Sequence, residues 1–173
     1  MVYRGVIMTG GSIPAILAGV KTRTRRMPTA IWAKLHPGDR LWVRETWTHE
    51  HDTLEGARAA HEDAMEQSSV IYRASTTSKW AGTVRWKPSL HMPRWASRIT
   101  LSVTSVRSEL LQDITEDDAI AEGVMMWPDL SGDREGEVEG CARARFAELW
   151  DNLHGGGSWA ANPVIRVISF ERV

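Results

Sequence analysis

Alternating hydrophobic and polar positions predict a series of short strands along the chain. The alternation is clearest at residues 98–107, where Ile99, Leu101 and Val103 would share one face of a strand. The C-terminal segment has a similar pattern over a comparable length. The predicted strands are 3–8, 40–47, 70–73, 98–107 and 163–173.

Hydrophobic residues at helical spacing separate several of these strands. Ser12 is a suitable N-cap for a helix that presents Ile13 and Ile16 on one face and ends at Gly19. Thr115 is a second predicted N-cap, followed by three acidic residues in the first turn. The predicted helices are 12–18, 28–35 (Ile31, Trp32 and Leu35 inward), 115–123, and 141–153 (Phe146, Leu149, Trp150 and Leu153 inward).

Strands and helices mixed without a regular βαβ repeat predict an α+β fold built around a small sheet. With 173 residues the chain is expected to form a single domain, residues 1–173. Two segments have the composition of insertions into that domain. Residues 49–69 are acidic and rich in Ala with little strand character, and residues 124–140 are rich in Gly and acidic residues.

Two segments of the chain carry most of its positive charge, although the formal net charge is only -1. Between Met1 and Arg44, eight cationic residues accompany a single acid, and residues 67–108 contain seven cationic residues and no acid. Residues 109–151 reverse the balance, with thirteen acids and three arginines. A fold that brings the basic segments together would present a positive face compatible with nucleic acid.

The basic segment 19–26 contains four cationic residues and two threonines. Its alternation suits a strand with two different faces, one of which carries Lys21, Arg23 and Arg25. Two interpretations remain open. Lys21 and Thr24 are close enough to share a phosphate or substrate site, or the segment is a solvated basic edge strand whose charges discourage aggregation.

A proline-stiffened loop is the second candidate binding element, in a chain with nine Trp against two Phe and two Tyr. Prolines exclude a regular helix or a central strand at residues 85–96. His91, Arg94 and Trp95 in this loop are candidates for the lining of a cleft in which a base stacks on Trp. An irregular loop that packs through its Trp residues is the equal alternative.

Glu45 shares its face of the predicted strand 40–47 with Leu41 and Val43. An unpaired charge is costly to bury, so this carboxylate is expected to have a cationic partner. The basic segment 19–26 is the predicted source of that partner. A structural ion pair and a binding-site residue both fit the pattern.

Several classes of protein and site are excluded or not indicated. Cys141 is the only cysteine, which excludes a disulfide within the chain and a cysteine-based zinc site. No His or Cys spacing predicts a metal site, and no Rossmann or P-loop glycine pattern predicts a nucleotide cofactor. We therefore expect neither metal nor cofactor. No hydrophobic run approaches the ~20 residues of a membrane span and no secretory signal opens the chain, so a cytoplasmic location without membrane partners is expected.

Four motifs in a fixed order resemble the ASCH domain, a family of the PUA-like superfamily of small β-barrels. They are AGVKTRTRR at 18–26, PGDRL at 37–41, LQDITEDDAIAEG at 111–123 and VIRVISF at 164–170. Two further motifs, LWVRETW at 41–47 and HMPRWASR at 91–98, resemble ASCH proteins of phages and prophages. The resemblance covers nearly the whole chain apart from the two insertions. It implies a PUA-like pseudo-barrel with short helices packed around it and a cleft that faces RNA or modified nucleosides.

The resemblance also implies candidate functions. Some ASCH proteins are amidohydrolases that deacylate N4-acetylcytidine with a Lys, a Thr and a Glu, and the matching positions here are Lys21, Thr24 and Glu122. Other members are ribonucleases, or bind RNA without catalysis. A non-catalytic module that binds a protein partner is a further alternative. The candidate nucleic-acid-binding residues are Arg23, Arg26, Arg44, Glu45, His91, Arg94, Trp95 and Arg98.

The proposed chemistry is sound for these residue types. A Thr hydroxyl is a poor nucleophile until a base takes its proton, and a neutral Lys can serve if burial and neighbouring cations lower its pKa. Arg23, Arg25 and Arg26 supply such neighbours to Lys21. A nearby carboxylate would hold the lysine charged. Glu122 is therefore expected either to carry a proton or to orient Lys21, or else to form a structural ion pair with an arginine.

Overall fold

The computed structural model describes residues 2–49, 70–76, 84–124 and 141–173, and almost all of the two predicted insertions lies outside these ranges. The strands are β1 (Tyr3–Ile7), β2 (Arg23–Arg26), β3 (Arg40–Arg44), β4 (Trp47–His49), β5 (Val70–Tyr72), β6 (Thr100–Leu110) and β7 (Val164–Arg172). The helices are α1 (Ser12–Leu17), α2 (Ala30–Ala33), α3 (Glu116–Ala121) and α4 (Cys141–His154). Single 3-10 turns occupy Arg73–Ser75, Ser89–His91, Arg94–Ala96 and Leu111–Asp113.

Five of the strands form one mixed sheet in the order β1-β3-β6-β7-β2. β1 and β3 are parallel, and the other neighbouring pairs in this sheet are antiparallel. β4 and β5 form a separate antiparallel pair, which divides the predicted strand 40–47 in two. This arrangement confirms the predicted α+β class.

The sheet is not closed into the expected barrel in the described part of the chain, where β1 and β2 remain its two edges. β2 has only four residues, and all four pair with β7 on one side. A side chain bridges the open side instead. Arg26 Nη2 donates a hydrogen bond to the carbonyl oxygen of Ile7 at the end of β1, at 3.0 Å. The barrel of the predicted PUA-like pseudo-barrel is thus an open sheet whose edges are linked through Arg26.

Two hydrophobic clusters stabilise the fold. In the first, Leu41, Val43 and Leu101 point from β3 and β6 toward Ile13 and Ile16 of α1. Fully burying a Leu, Ile or Val contributes roughly 1.5–3 kcal/mol. The second cluster lies among α3, α4 and β7 and includes Leu111, Ala119, Phe146, Trp150, Ile165 and Val167. Residues at the adjoining ends of α1, β2 and α4 form the cleft described below.

Two residues predicted to face inward are exposed instead. Ile31 is 52% exposed, because α2 is a single turn that directs Trp32 and Leu35 toward the core. Leu153 is 53% exposed and lies in the last turn of α4. The other inward positions predicted for α4 are buried.

One of the two predicted helix caps is confirmed. The Thr115 hydroxyl accepts a hydrogen bond from the amide of Asp118 at 3.1 Å, which satisfies a free N–H in the first turn of α3. Ser12 does not cap α1, where Gly11 is the N-cap residue. Ser12 is buried instead, and its hydroxyl forms a hydrogen bond with the hydroxyl of Thr9 at 3.0 Å.

Candidate functional site

The segment that leads into β2 is held between the ends of two helices. The amide of Lys21 donates to the carbonyl of Ala15 in α1 at 3.0 Å, and the amide of Thr22 donates to Ala121 at the end of α3 at 2.9 Å. The second of these contacts joins parts of the chain that are about one hundred residues apart. It brings Glu122, which follows α3 directly, next to Lys21.

Lys21 and Glu122 form a buried pair with two hydrogen bonds. Lys21 Nζ lies 2.8 Å from the carboxylate oxygen Oε2 of Glu122 and 2.7 Å from the main-chain carbonyl oxygen of the same residue. Each side chain is only 5% exposed. The next residue must be glycine, because Gly123 has a φ of +77° and a Cβ there would lie 2.7 Å from that of Ala15. Close packing therefore fixes the position of this pair.

The surroundings of Lys21 on balance lower its pKa. Burial lowers the pKa of Lys21 below its ordinary value of 10.5. The Glu122 charge and hydrogen bond raise the pKa, and the positive charges of Arg26 and Arg25 lower it. The predicted influence of neighbouring arginines is confirmed for these two residues. The opposing carboxylate is present as well, in direct contact with the lysine.

Arg25 organises a buried network of carboxylates that the sequence did not predict. Its guanidinium is fully buried and contacts Glu109 at 2.7 Å, Asp118 at 2.8 Å and Glu122 at 3.3 Å. A buried charge requires such partners, because an uncompensated one is strongly destabilising. Removal of Glu122 would leave Arg25 with two other carboxylates. Lys21 would keep only the main-chain carbonyl of residue 122.

The interpretation of 19–26 as a solvated edge strand is wrong. β2 does lie at the edge of the sheet, but Lys21, Thr24 and Arg25 are buried. Acidic side chains from β6 and α3 cover the strand, so the alternation of exposed and buried faces is lost. Arg23 is partly exposed and forms a salt bridge with Asp118.

The three candidate catalytic residues meet in one cleft. Lys21, Thr24 and Glu122 line a space of about 60 Å³ between α1, β2 and α4. The Thr24 hydroxyl has no hydrogen-bond partner among the described residues. The volume is well below the roughly 300 Å³ of a typical small-molecule pocket, so only part of a larger ligand fits inside. The remaining lining residues are Thr9, Ser12, Arg25, Arg26, Phe146, Leu149, Trp150, Leu153 and His154.

Trp150 and His154 are cleft residues that the sequence analysis missed as site candidates. Their rings are 4.1 Å apart between centroids, with an interplanar angle of 31°. Burial lowers the pKa of His154, and the Arg26 charge lowers it further. A spacing of four residues places both side chains on one face of α4. That spacing was the available signal, but only the tertiary fold brings this face to β2.

Arg44 and Arg94 form a second group with aromatic rings on the outer side of the sheet. The guanidinium carbon of Arg44 lies 4.6 Å from the ring centroid of Trp42, and that of Arg94 lies 4.6 Å from Tyr3 and 6.0 Å from Trp42. Gly5 makes room for this packing, because a Cβ there would lie 2.7 Å from both Trp42 and Arg44. Tyr3 and Trp42 were not among the predicted binding residues.

Arg26 and Arg44 approach the same end of β1. Arg26 binds the Ile7 carbonyl, and Ile7 is the register partner of Arg44 across β1 and β3. The cleft and the outer arginine group are therefore adjacent through one residue of β1.

Glu45 forms its ion pair with a residue outside the predicted basic segment. Arg98 binds the two carboxylate oxygens of Glu45 at 2.9 and 2.8 Å, and its guanidinium carbon lies 4.0 Å from the ring centroid of Tyr72. Glu45 is buried. The expected ion pair is thus present, but the expectation that residues 19–26 supply its partner is wrong. Both groups of this pair are largely occupied within the protein.

The proline-stiffened loop does not line the cleft of Lys21. Its residues Met92 and Ala96 pack on the small sheet with Trp47. Trp95 is 41% exposed and stands edge-on to Trp47, with 6.0 Å between ring centroids. His91 is also exposed. The loop therefore packs through buried Met and Ala while it leaves Trp95 accessible.

Within residues 2–49, 70–76, 84–124 and 141–173, no group of three or more His, Cys, Asp and Glu side chains is arranged to hold a metal ion. In the same ranges no helix has the length and hydrophobicity needed to cross a membrane.

Comparisons with known proteins give two structural likenesses. No protein-family model and no curated protein matches the sequence. A crystal structure of the hypothetical protein PH0355 has 10% sequence identity, a TM-score of 0.49 and full coverage of both chains. An ASCH domain from Lactobacillus crispatus JV V101 has 11% identity and a TM-score of 0.44, with 99% of this chain and 79% of that chain covered. This second structure belongs to the family that the sequence motifs resemble, and neither structure points to a phage or prophage protein.

Proposed function

We propose that this protein binds RNA or a modified nucleoside and hydrolyses an acyl group from N4 of cytidine. The observation that carries the proposal is the meeting of Lys21, Thr24 and Glu122 in one cleft. Lys21 and Thr24 come from the segment before and within β2, and Glu122 comes from the end of α3. The backbone bonds to Ala15 and Ala121 hold these segments together.

The reaction begins with attack of Thr24 Oγ on the carbonyl carbon of the N4-acyl group. Neutral Lys21 accepts the hydroxyl proton, and the carbonyl becomes a tetrahedral oxyanion. The C–N4 bond then breaks, N4 receives a proton from Lys21, and the acyl group remains as an ester on Thr24. Water attacks this ester and gives a proton to Lys21. Lys21 returns that proton to Thr24 Oγ as the ester bond breaks, which releases the carboxylic acid and restores Thr24 and neutral Lys21.

Glu122 has a defined role in this cycle. Its carboxylate orients Lys21 Nζ through the 2.8 Å contact and stabilises the ammonium that forms when Lys21 takes the Thr24 proton. A resting pair with Lys21 charged must lose a proton before Lys21 can act as a base. The reaction is therefore expected to require a pH high enough to populate neutral Lys21, which burial makes accessible below the ordinary lysine pKa.

The outer arginine group would bind the rest of an RNA substrate. Arg44 and Arg94 are held by the aromatic rings of Trp42 and Tyr3, so their cationic groups are already positioned for phosphate oxygens. Trp95 offers an exposed ring for base stacking. Arg23 and Arg98 are weaker candidates, because Asp118 and Glu45 bind them within the protein.

Non-catalytic RNA binding is the second candidate function, and one observation favours it. Lys21 already has two hydrogen bonds to Glu122, which is the arrangement of a structural ion pair. A ribonuclease or a protein-interaction module would also be consistent with the outer surface. In each of these cases Thr24 would have no nucleophilic role.

Substrate incubation separates these functions. Wild-type protein should be incubated separately with N4-acetylcytidine, with a short RNA, and with the same RNA containing one N4-acetylcytidine, and products followed by chromatography. The proposal predicts release of acetate and cytidine with the RNA chain left intact. Cleavage of the RNA would indicate the ribonuclease. RNA that binds to the protein and is recovered without any product would indicate the binding module.

A further inference from the structure

The cleft beside Lys21 contains an arginine without a carboxylate partner among the described residues. Lys21 pairs with Glu122 and Arg25 pairs with three carboxylates, but Arg26 forms no salt bridge with any described residue. Arg26 is half-buried. Burial lowers its pKa and the charge of Glu122 raises it, and the guanidinium remains protonated near neutral pH. A partly buried guanidinium that forms no direct salt bridge favours an anion as its ligand.

The existing contacts of Arg26 use only part of its guanidinium. Nη2 donates to the Ile7 carbonyl at 3.0 Å and lies 3.3 Å from the sulfur of Met8. The guanidinium carbon lies 5.3 Å from the ring centroid of Trp32. Nε is buried and has no acceptor among the described residues.

A second buried donor without an acceptor lines the same cleft. Trp150 is 3% exposed, and its indole Nε1 has no hydrogen-bond partner within the described ranges. Buried N–H groups without acceptors are uncommon in native proteins, because losing water without a replacement is unfavourable. Arg26 and Trp150 are both donors only, so the partner that satisfies both must be an acceptor.

We propose that Arg26 and Trp150 bind a phosphate group of the substrate beside Lys21 and Thr24, so that the substrate is a nucleotide or RNA rather than a free nucleoside. The inference rests on the proposed function, because the phosphate and the acyl group that meets Thr24 belong to one substrate. Guanidinium–phosphate hydrogen bonds are charge-assisted and geometrically specific. Leu149 and Leu153 supply hydrophobic walls that strengthen such a contact.

A purely structural role for Arg26 makes a different prediction. If Arg26 serves only to link β1 to β2 through Ile7, its replacement would lower stability without changing the preference between ligands with and without phosphate. The ratio of two affinities therefore separates the two roles, because a general loss of stability affects both ligands alike.

The test is a calorimetric titration with cytidine, cytidine 5′-monophosphate and the dinucleoside monophosphate CpC. Wild type should bind one of the two phosphate-bearing ligands roughly 10- to 100-fold more tightly than cytidine. Preference for the monophosphate identifies a terminal phosphate, and preference for CpC identifies a phosphodiester. Arg26→Gln should remove most of this preference. Arg40→Gln, at an exposed position in β3, should retain it.

Trp150→Phe provides a second variant that keeps an aromatic ring and removes only the indole N–H. Because this N–H has no acceptor in the described protein, no internal hydrogen bond is lost, and the preference for phosphate should fall several-fold. The phosphate subsite would be overturned if wild type bound all three ligands equally or bound none of them. It would also be overturned if both variants kept the wild-type preference for phosphate. Binding does not require turnover, so absence of hydrolysis would refute the proposed reaction alone. Hydrolysis without a phosphate preference would refute the subsite alone.

Discussion

The side-chain nitrogen of Lys21 is bonded to Glu122 twice, to the carboxylate at 2.8 Å and to the main-chain carbonyl at 2.7 Å. A lysine in this position is oriented by one residue through two rigid contacts. The carboxylate favours the ammonium, whereas burial and the neighbouring arginines favour the free amine. The chemistry of the cleft depends on the balance between these opposing effects.

Replacement of Glu122 by Gln should destabilise the protein strongly. Lys21 would lose its carboxylate, and removal of one partner from a buried pair costs roughly 3 to 5 kcal/mol. Without the carboxylate, the pKa of Lys21 in the folded variant should fall further below 10.5. At high pH the unfolded variant then binds more protons than the folded variant, so the stability of the variant rises with pH and the loss diminishes. Urea denaturation at pH 7 and at higher pH measures this change. Glu171→Gln, exposed in β7, is the control and should have little effect.

Replacement of Gly123 by Ala should disturb the site through sterics rather than charge. Gly155 is a matched control, because both glycines have positive φ but only Gly123 has a close neighbour at the Cβ position. Gly155→Ala should cost about 1–2 kcal/mol for the left-handed backbone. Gly123→Ala should cost a further ~1–3 kcal/mol, since its Cβ would lie 2.7 Å from that of Ala15 and 3.1 Å from that of Lys21. Equal free energies of unfolding for the two variants would contradict the tight packing described here.

Asp39 should contribute to stability above pH 4 and lose that contribution in acid. Its carboxylate accepts hydrogen bonds from the amides of Val2 at 2.6 Å and His36 at 3.0 Å, and these bonds lower its pKa below 3.8. The pKa of Asp39 is lower in the folded protein than in the unfolded chain. The stabilisation is therefore complete above pH 3.8 and disappears as the pH falls through the pKa of the folded state. Asp39→Asn should therefore lower the free energy of unfolding at pH 7 more than at pH 2.5. An equal loss at both pH values would refute this role.

The periodicity of the sequence predicted most of the elements. Lys21 and Thr24, whose spacing suggested that they lie close together, line the same cleft. Local signals also sufficed for the Thr115 cap, because Thr115 and the Asp118 amide that donates to its hydroxyl are three residues apart. The open edge of the sheet was not predictable, since it depends on how far β2 extends and on the Arg26 side chain.

Long-range partners account for the rest of the differences. Nothing near Arg25 in sequence indicated that Glu109, Asp118 and Glu122 would surround it. The alternation of cationic and hydroxyl side chains in residues 19–26 was therefore compatible with a solvated strand. Trp150 likewise had the pattern of a core residue of α4, and it is one. Its additional place in the cleft follows only from the packing of α4 beside β2.

The most direct test of the catalytic proposal compares rates of N4-acetylcytidine hydrolysis by four variants with wild type. Thr24→Ala removes the nucleophile and should abolish turnover. Lys21→Arg keeps a positive charge, but the arginine cannot deprotonate near neutrality, so the rate should fall roughly 10²- to 10⁴-fold. The matched controls Thr22→Ala and Lys34→Arg, at exposed positions, should retain the wild-type rate. Absence of product with wild type, or wild-type rates in Thr24→Ala or Lys21→Arg, would contradict the mechanism.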